Sequence, residues 1–506
     1  MGPFWVDIHI SRIFSGFTAP KLPIGTYGIF PFLQLPLNIQ LSQANTHWHI
    51  IGTSGSGKSF FLAQLYLSLI NKGYPATLID PHGDLARLVL SHLVAQGKYK
   101  TQAAYERIVY LDLPAAERQE RYLPFNPLKQ DNPDHTIASN FKEAMHRAFP
   151  ELSQGAAIFD TLLPRALRVL LANDLPLTAL EPFLWDEEYR LQLLKQVADP
   201  TITSYFQNVY AELKRSEQIS YAGSVLRRAA LLTDLPILRY SFSQPDNRLQ
   251  FRKIMDSGKS VIINLAVREL EASRLLGCLL TVGYEQAALS RADQKERLSH
   301  HLIVDEFHSF ATHSAQAFSS MLSQTRKYGL YLGLAHQFWG QANQHLQEAL
   351  QNTGIDVVFN IGRTDAEYTA KELSRIDPLQ VKHEVADEYA VEKTHPVFYN
   401  LAEQWQGFTE YLQDLPPRHF VLKLRGQKVK VGKTLHLPKP KVDPKALAEV
   451  EQEYLRRYFR SKPACRQAGQ EIAPVDTPPV GETREEQGMR QARLLYTPIS
   501  RRQRLR

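Results

Sequence analysis

The sequence predicts an α/β fold: a mostly parallel sheet wrapped by helices, carrying an all-helical insertion and a small β-rich segment at its N-terminus. Three observations predict it. Short apolar runs alternate with helical patterns at His47–Ile51, Ala76–Ile79, Ile108–Leu111, Val261–Leu265, His301–Val304, Leu330–Leu334 and Val357–Ile361, as buried parallel strands do. From about Pro133 to Ser241 no strand pattern occurs and the apolar spacing turns helical, as in Ile158, Leu162, Ala166 and Leu170. Before His47, short apolar runs are punctuated by Gly16, Pro20, Pro23, Gly25, Pro31 and Pro36, which reads as small strands and turns.

In chain order these give a β-rich lead-in over 1–46, a sheet domain over 47–132 and 242–438, the helical insertion over 133–241, and a mobile basic tail over 439–506. Leu123-Pro124-Phe125-Asn126-Pro127-Leu128 punctuates the way into the insertion, and Asp256-Ser257-Gly258 turns the chain just before the sheet resumes. In the tail, Pro, Gln, Glu and Arg accumulate and apolar periodicity is confined to Ala446–Phe459, a composition that buries little surface.

Composition bounds the chemistry. The chain has 506 residues, 43% hydrophobic and 22% charged, which is a globular balance with room for roughly three structural units. Two cysteines, Cys278 and Cys465, exclude a disulfide framework and a cysteine metal site, and suit a reducing cytoplasm. The longest mostly apolar stretch, Ile24 to Ile39, is broken by Pro31 and Pro36 and falls short of the ~20 residues of a membrane helix. Neither membrane insertion nor a secretory signal is expected. Net charge is +7, but Arg490 to Arg506 holds six arginines and no acid, so the excess marks the tail rather than the folded body.

The chemistry begins at Gly52-Thr53-Ser54-Gly55-Ser56-Gly57-Lys58-Ser59, a phosphate-loop pattern placed after an apolar strand and before the helical stretch opening at Phe60. Glycines let backbone N–H groups face phosphate oxygens, the helix N-terminus adds positive charge, Lys58 reaches the β and γ phosphates and Ser59 ligates Mg²⁺. The expected ligands are therefore ATP and Mg²⁺, held by residues Gly52 to Phe60. His301-Leu302-Ile303-Val304-Asp305-Glu306 is a strand ending in two acids. Asp305 is the expected metal ligand, and Glu306 the base that orients and deprotonates water. Gln337, closing Leu330–Gln337, is placed to sense the γ-phosphate. Asp80 and His82, at the end of another strand, open onto the same edge. Arg326, between Asp305 and Gln337, is a candidate finger for a neighbouring subunit, with Arg363 as its competitor; either is equally a solvated arginine at a helix end.

Taken in order, Gly52–Ser59, Ile79-Asp80-Pro81-His82-Gly83-Asp84-Leu85, Phe125–Leu128, Val304–Phe307, Arg326-Lys327-Tyr328-Gly329 and Leu334–Gln337 resemble the HerA/FtsK superfamily, and within it the conjugative coupling proteins of type IV secretion, from about Thr46 to Leu424. The resemblance implies a RecA-like P-loop NTPase core with an all-helical insertion, assembled as a homo-oligomeric ring, a hexamer, that pumps DNA through a central channel using ATP. It implies Arg326 as the trans finger, Gln337 as the sensor and Asp80 as an accessory acid near the metal. Implied partners are DNA, further copies of the chain, and secretion, relaxase or nuclease proteins. Two departures stand out: coupling proteins usually begin with membrane-spanning helices, which points here to a cytoplasmic variant or one docked at the inner membrane through a partner. Also, Thr46 precedes His47 where relatives often carry arginine. An ATPase of a secretion machine acting on protein, and a HerA-type motor paired with a nuclease on DNA ends, are the rival expectations.

Overall fold

The computed structural model describes residues 20–30, 33–130, 132–149, 157–244, 246–311, 315–342, 344–374, 379, 381–386 and 394–461. Its strands, in chain order, are β1 (Lys21–Phe30), β2 (Leu33–Gln40), β3 (Trp48–Ile51), β4 (Ala76–Asp80), β5 (Ile108–Asp112), β6 (Arg121–Tyr122), β7 (Ser260–Asn264), β8 (His300–Val304), β9 (Leu330–His336), β10 (Ile355–Val358), β11 (Val381–Ala386), β12 (Thr394–Phe398), β13 (His419–Leu424), β14 (Lys430–Lys433) and β15 (Arg460–Ser461). An 11-stranded sheet runs in the order β2-β1-β14-β13-β10-β3-β9-β8-β4-β7-β5. From β10 to β5 every pairing is parallel. β3, β4, β7 and β8 are buried at every residue, because crossover helices cover both faces.

Register decides where function falls. Ile51 pairs with His336 and with Val358, Val304 with Ile79, and Asp80 with Asn264. The strands thus end level, and the polar residues that follow each apolar run open onto one carboxyl edge. The helix Lys58–Asn71, which leaves that edge, is anchored by Phe61, whose ring lies 5.9 Å from Phe359 and 5.4 Å from Phe420. All three rings are fully buried, worth about 1.5–3 kcal/mol each.

Between β6 and β7, every described element is helical. Leu162, Ala166 and Leu170 are fully buried on the Ala157–Ala172 helix. The Asp134–Ala148 helix packs on the long Leu270–Ser290 helix, where buried Arg147 pairs with Glu285 at 3.1 Å.

Two regions differ from the sequence expectation. The lead-in hairpin β1–β2 is not set apart: β14 and β13, antiparallel strands not anticipated, join it to β10 as the edge of the same sheet. The expected mobile tail begins instead as a packed helix, Pro444–Tyr458. Leu447, Val450, Tyr454 and Leu455 are buried on it, Tyr454 donates to the Ile108 carbonyl, and β15 pairs with β6. A four-residue apolar spacing is enough for a helix that covers the edge strand β5, which is buried at four of its five residues. The arginine-rich 490–506 segment lies outside the described residues. Among the described residues, no helix is long and apolar enough to cross a membrane.

Candidate nucleotide site at the carboxyl edge of the sheet

The loop after β3 owes its shape to its glycines. Gly57 has φ 106°, and a Cβ there would lie 2.9 Å from the Arg418 Cα. At Gly52 a Cβ would come within 2.6 Å of Phe359. The loop is also stitched to its surroundings: Thr53 donates through Oγ1 to the Asn360 carbonyl, and the Arg418 amide donates to the Ser56 carbonyl at 2.7 Å. Ser54, Ser59 and Phe60 are exposed and Lys58 is buried, an open cradle with its cation inside.

Opposite this loop lie the acids that follow β8. Lys58 Nζ is 2.6 Å from Glu306 Oε1 and 3.8 Å from Asp305 Oδ1. Glu306 has φ 45°, a left-handed backbone that a non-glycine residue adopts only where its surroundings enforce it. Its Oε1 also accepts from Gln337 Nε2 at 3.1 Å, and its buried Oε2 faces His308 Nδ1 at 3.4 Å. Burial pushes the Asp305 carboxyl up to about 6; Lys58 opposes this, and Glu306 and Asp80 reinforce it. Asp80 itself is fully buried, with one oxygen accepting from the His82 amide and the other from the Ala86 amide. Its hydrogen bonds shape its own turn, and its charge is felt by Asp305. His82 is exposed.

Lys58, Asp305, Glu306 and Gln337 are thus brought together, while Arg326 is not. It lies in the turn Thr325–Tyr328 before β9, whereas Gln337 follows the end of that strand. The seven residues of β9, at ~3.3 Å each, separate Arg326 from the phosphate loop by about 20 Å. Its charge is felt by His47, at the amino end of β3, whose ring is lowered to about 4 by burial with help from Arg326. Arg363 sits on the phosphate-loop edge, exposed and paired with Glu367 at 2.9 Å.

Three groups at the site escaped the sequence reading. Arg418, with φ 69°, braces the phosphate loop while its guanidinium donates to Thr434 and Leu435; the pair Pro416-Pro417 before it was the only local cue. His308 and Gln341 touch each other, and Gln341 Oε1 accepts from the Gln337 amide. Below Gln337, buried His336 meets His49 with Nε2 to Nε2 at 2.8 Å, and His49 Nδ1 lies 3.3 Å from Asp356. Burial, aided by His49, holds the His336 ring well below its ordinary range.

The loop's backbone amides and buried Lys58 suit a polyphosphate, with the buried carboxylate of Glu306 beside them. A family model described as the central domain of helicase HerA matches residues 27–281, a segment that includes the phosphate loop and ends before Asp305. No curated protein matches the chain. Among solved structures, the unbound monoclinic form of the bacterial conjugative coupling protein TrwBdeltaN70 aligns with a TM-score of 0.57 at 16% identity, over 80% of this chain and 89% of that one. Plasmid coupling protein TrwB in complex with ADP and Mg²⁺ aligns at 0.54 and 15%, over 80% and 88%. At these identities the likeness establishes a common RecA-like fold.

Proposed function

The chain belongs to the family of the HerA helicase central domain, and from that premise we propose that it is an ATP-hydrolysing, ring-forming DNA translocase of the coupling-protein type. One observation carries the proposal: the phosphate loop, Asp305, Glu306 and Gln337 share one edge of the sheet, and Arg326 lies exposed at the other. At the phosphate-loop edge Lys58 is held by Glu306 and Arg363 is paired with Glu367, so neutralising the charge that develops as the γ-phosphate departs falls to a neighbour's Arg326.

Residues Gly52 to Phe60 bind the nucleotide, with Lys58 on its β and γ phosphates. The Asp305 carboxyl is raised by burial and further by Glu306 and Asp80, negative charge that a bound cation would relieve. Ser59 and Asp305 would hold Mg²⁺, which offsets phosphate charge when bound. Glu306 takes the proton of the attacking water, and its Oε1 contact with Gln337 lets the amide relay a change at the γ-phosphate to the turn after β9. The helical insertion and the channel of the assembled ring serve DNA passage in the cytoplasm, with any inner-membrane attachment left to a partner.

The test is the steady-state ATPase rate of the purified chain with and without single- and double-stranded DNA. Stimulation by DNA supports the proposal. Robust turnover indifferent to DNA favours a secretion ATPase acting on protein.

A further inference from the structure

We propose that Arg291 is a positioning residue for the Arg326 turn, and that it ties this turn to the element through which the helical insertion re-enters the sheet domain. The inference rests on Arg326 acting in trans and deepens it.

Arg291 is fully buried, where a charge is tolerated only if its donors are met. Nη1 donates to the Tyr328 carbonyl at 3.0 Å and Nη2 to the Leu298 carbonyl at 2.9 Å. Nε lies 2.9 Å from Asp256 Oδ1 as an ion pair without hydrogen-bond geometry, so the carboxylate balances the buried charge while the two carbonyls take the hydrogen bonds. The two carbonyls belong to the segments flanking the start of β8 and β9, and Tyr328 is the last residue of the finger turn. Space is tight there: Gly329, at φ 78°, would place a Cβ 3.1 Å from the Leu298 carbonyl oxygen and 3.3 Å from Arg291 Nη1. Arg297 holds the same turn from outside, donating to the Arg291 carbonyl at 2.7 Å and lying over the Tyr328 ring. An apolar side chain would fill this volume without a desolvation cost. A planar fork, in contrast, fixes two carbonyls in one orientation beside a charge-balancing carboxylate, which an ammonium cannot do.

Asp256 gives the network its second end. It closes the Phe251–Asp256 helix, the first after the insertion, and also faces Arg252 Nε at 3.4 Å, while Gln294 donates to it at 3.0 Å. Arg252 clasps both Asp293 oxygens at 2.7 Å. Phe251 presses on the Leu270–Ser290 helix, where a Cβ at Gly283 would come within 2.2 Å of its ring. A shift of the insertion that moves this helix changes what Asp256 offers Arg291, and so the aim of Arg326.

The experiment uses the full chain and four single variants, Arg291→Lys, Asp256→Asn, Arg297→Ala and Arg326→Ala, scored for kcat, KM for ATP, nucleotide affinity and thermal midpoint. Arg291→Lys should lower kcat about 10- to 100-fold, part of the roughly 10³–10⁵ that a finger supplies, with KM and nucleotide affinity unchanged. Asp256→Asn should follow it. Arg297→Ala, at a part-exposed position, keeps the test open if the buried variants do not fold, and should lower kcat several-fold. In mixed rings Arg291→Lys should be partly rescued by Glu306→Gln subunits, because its defect falls on the neighbour's site; a merely structural lesion would not be. Wild-type kcat in Arg291→Lys or in Arg297→Ala, alongside a large loss in Arg326→Ala, overturns the inference alone. Wild-type kcat in Arg326→Ala overturns the trans finger and this inference with it.

Discussion

Lys58 Nζ sits 2.6 Å from Glu306 Oε1, and both side chains are buried. The cation that should receive phosphate is held by the carboxylate that should activate water. A nucleotide must compete with Glu306 for this ammonium, and doing so frees the carboxylate to accept a proton. On the proposed roles, the pair would couple phosphate binding to release of the base.

Glu306→Gln removes the charge that competes for Lys58 while keeping the side chain's volume. Nucleotide affinity should stay at the wild-type level or tighten, and turnover should be lost. Lys58→Ala should lose both, since the cradle loses its buried cation. Equilibrium binding of a fluorescent ATP analogue, alongside phosphate release, separates the two, and near wild-type turnover in Glu306→Gln would remove it as the base.

Gly57→Ala meets two obstacles at once: a left-handed backbone and a contact of 2.9 Å with the Arg418 Cα. Strain of about 1–3 kcal/mol must be relieved by displacing the loop, so ATP affinity should fall about tenfold or more, measured by isothermal titration. Unchanged affinity would show that Arg418 does not brace the phosphate loop.

Stability should depend on pH through buried histidines. Burial lowers His300 to about 3, and His301 and His47 to about 4, against about 6.5 in an unfolded chain. Between those limits the unfolded state binds more protons. The stability is therefore complete above about pH 6.5 and is lost as pH falls towards 4, by about 1.4 kcal/mol per pH unit for each such group. Asp305, raised to about 6, pulls the other way between about 4 and 6, as do Glu117, Glu285, Asp365 and Glu451, which burial also raises, whereas burial-lowered His92, His308 and His336 add to the histidine side. The thermal midpoint should be level from pH 7 to 8 and drop steeply below 6.5; a level midpoint down to pH 5 would refute the burial argument.

The six arginines of Arg490–Arg506 should add salt-sensitive, sequence-independent DNA affinity through counterion release. Deleting the segment should flatten the dependence of log affinity on log salt and leave DNA-free ATPase activity unchanged. Equal salt slopes for full-length and shortened chains would exclude this role.

The carboxyl edge was legible because each parallel strand is a short apolar run closed by a polar residue: Asp80, Asp305 and Gln337 announce themselves. Register then brings them together without further instruction. Illegible were contacts between distant segments that leave no local pattern. His49 and His336 are separated by 287 positions, Arg291 reads as an ordinary charged residue at a helix end, and Arg418 shows only a Pro-Pro pair before it. β13 and β14 went unanticipated because Lys423, Lys430 and Lys433 interrupt their apolar alternation, as suits strands near a sheet edge. The Pro444–Tyr458 helix was masked by composition, although four side chains suffice to dock it.

The central claim is that Arg326 completes a neighbour's site, and subunit mixing tests it directly. Arg326→Ala should lose much of the roughly 10³–10⁵-fold that an arginine finger provides and bind nucleotide normally, and Glu306→Gln is inactive for a different reason. In mixed rings of the two, interfaces that pair Glu306 of one subunit with Arg326 of the next are whole again. The account predicts that ATP turnover returns on mixing, to a fraction set by the proportion of such interfaces. Turnover that stays absent, with mixed rings verified by differential labelling, would contradict it.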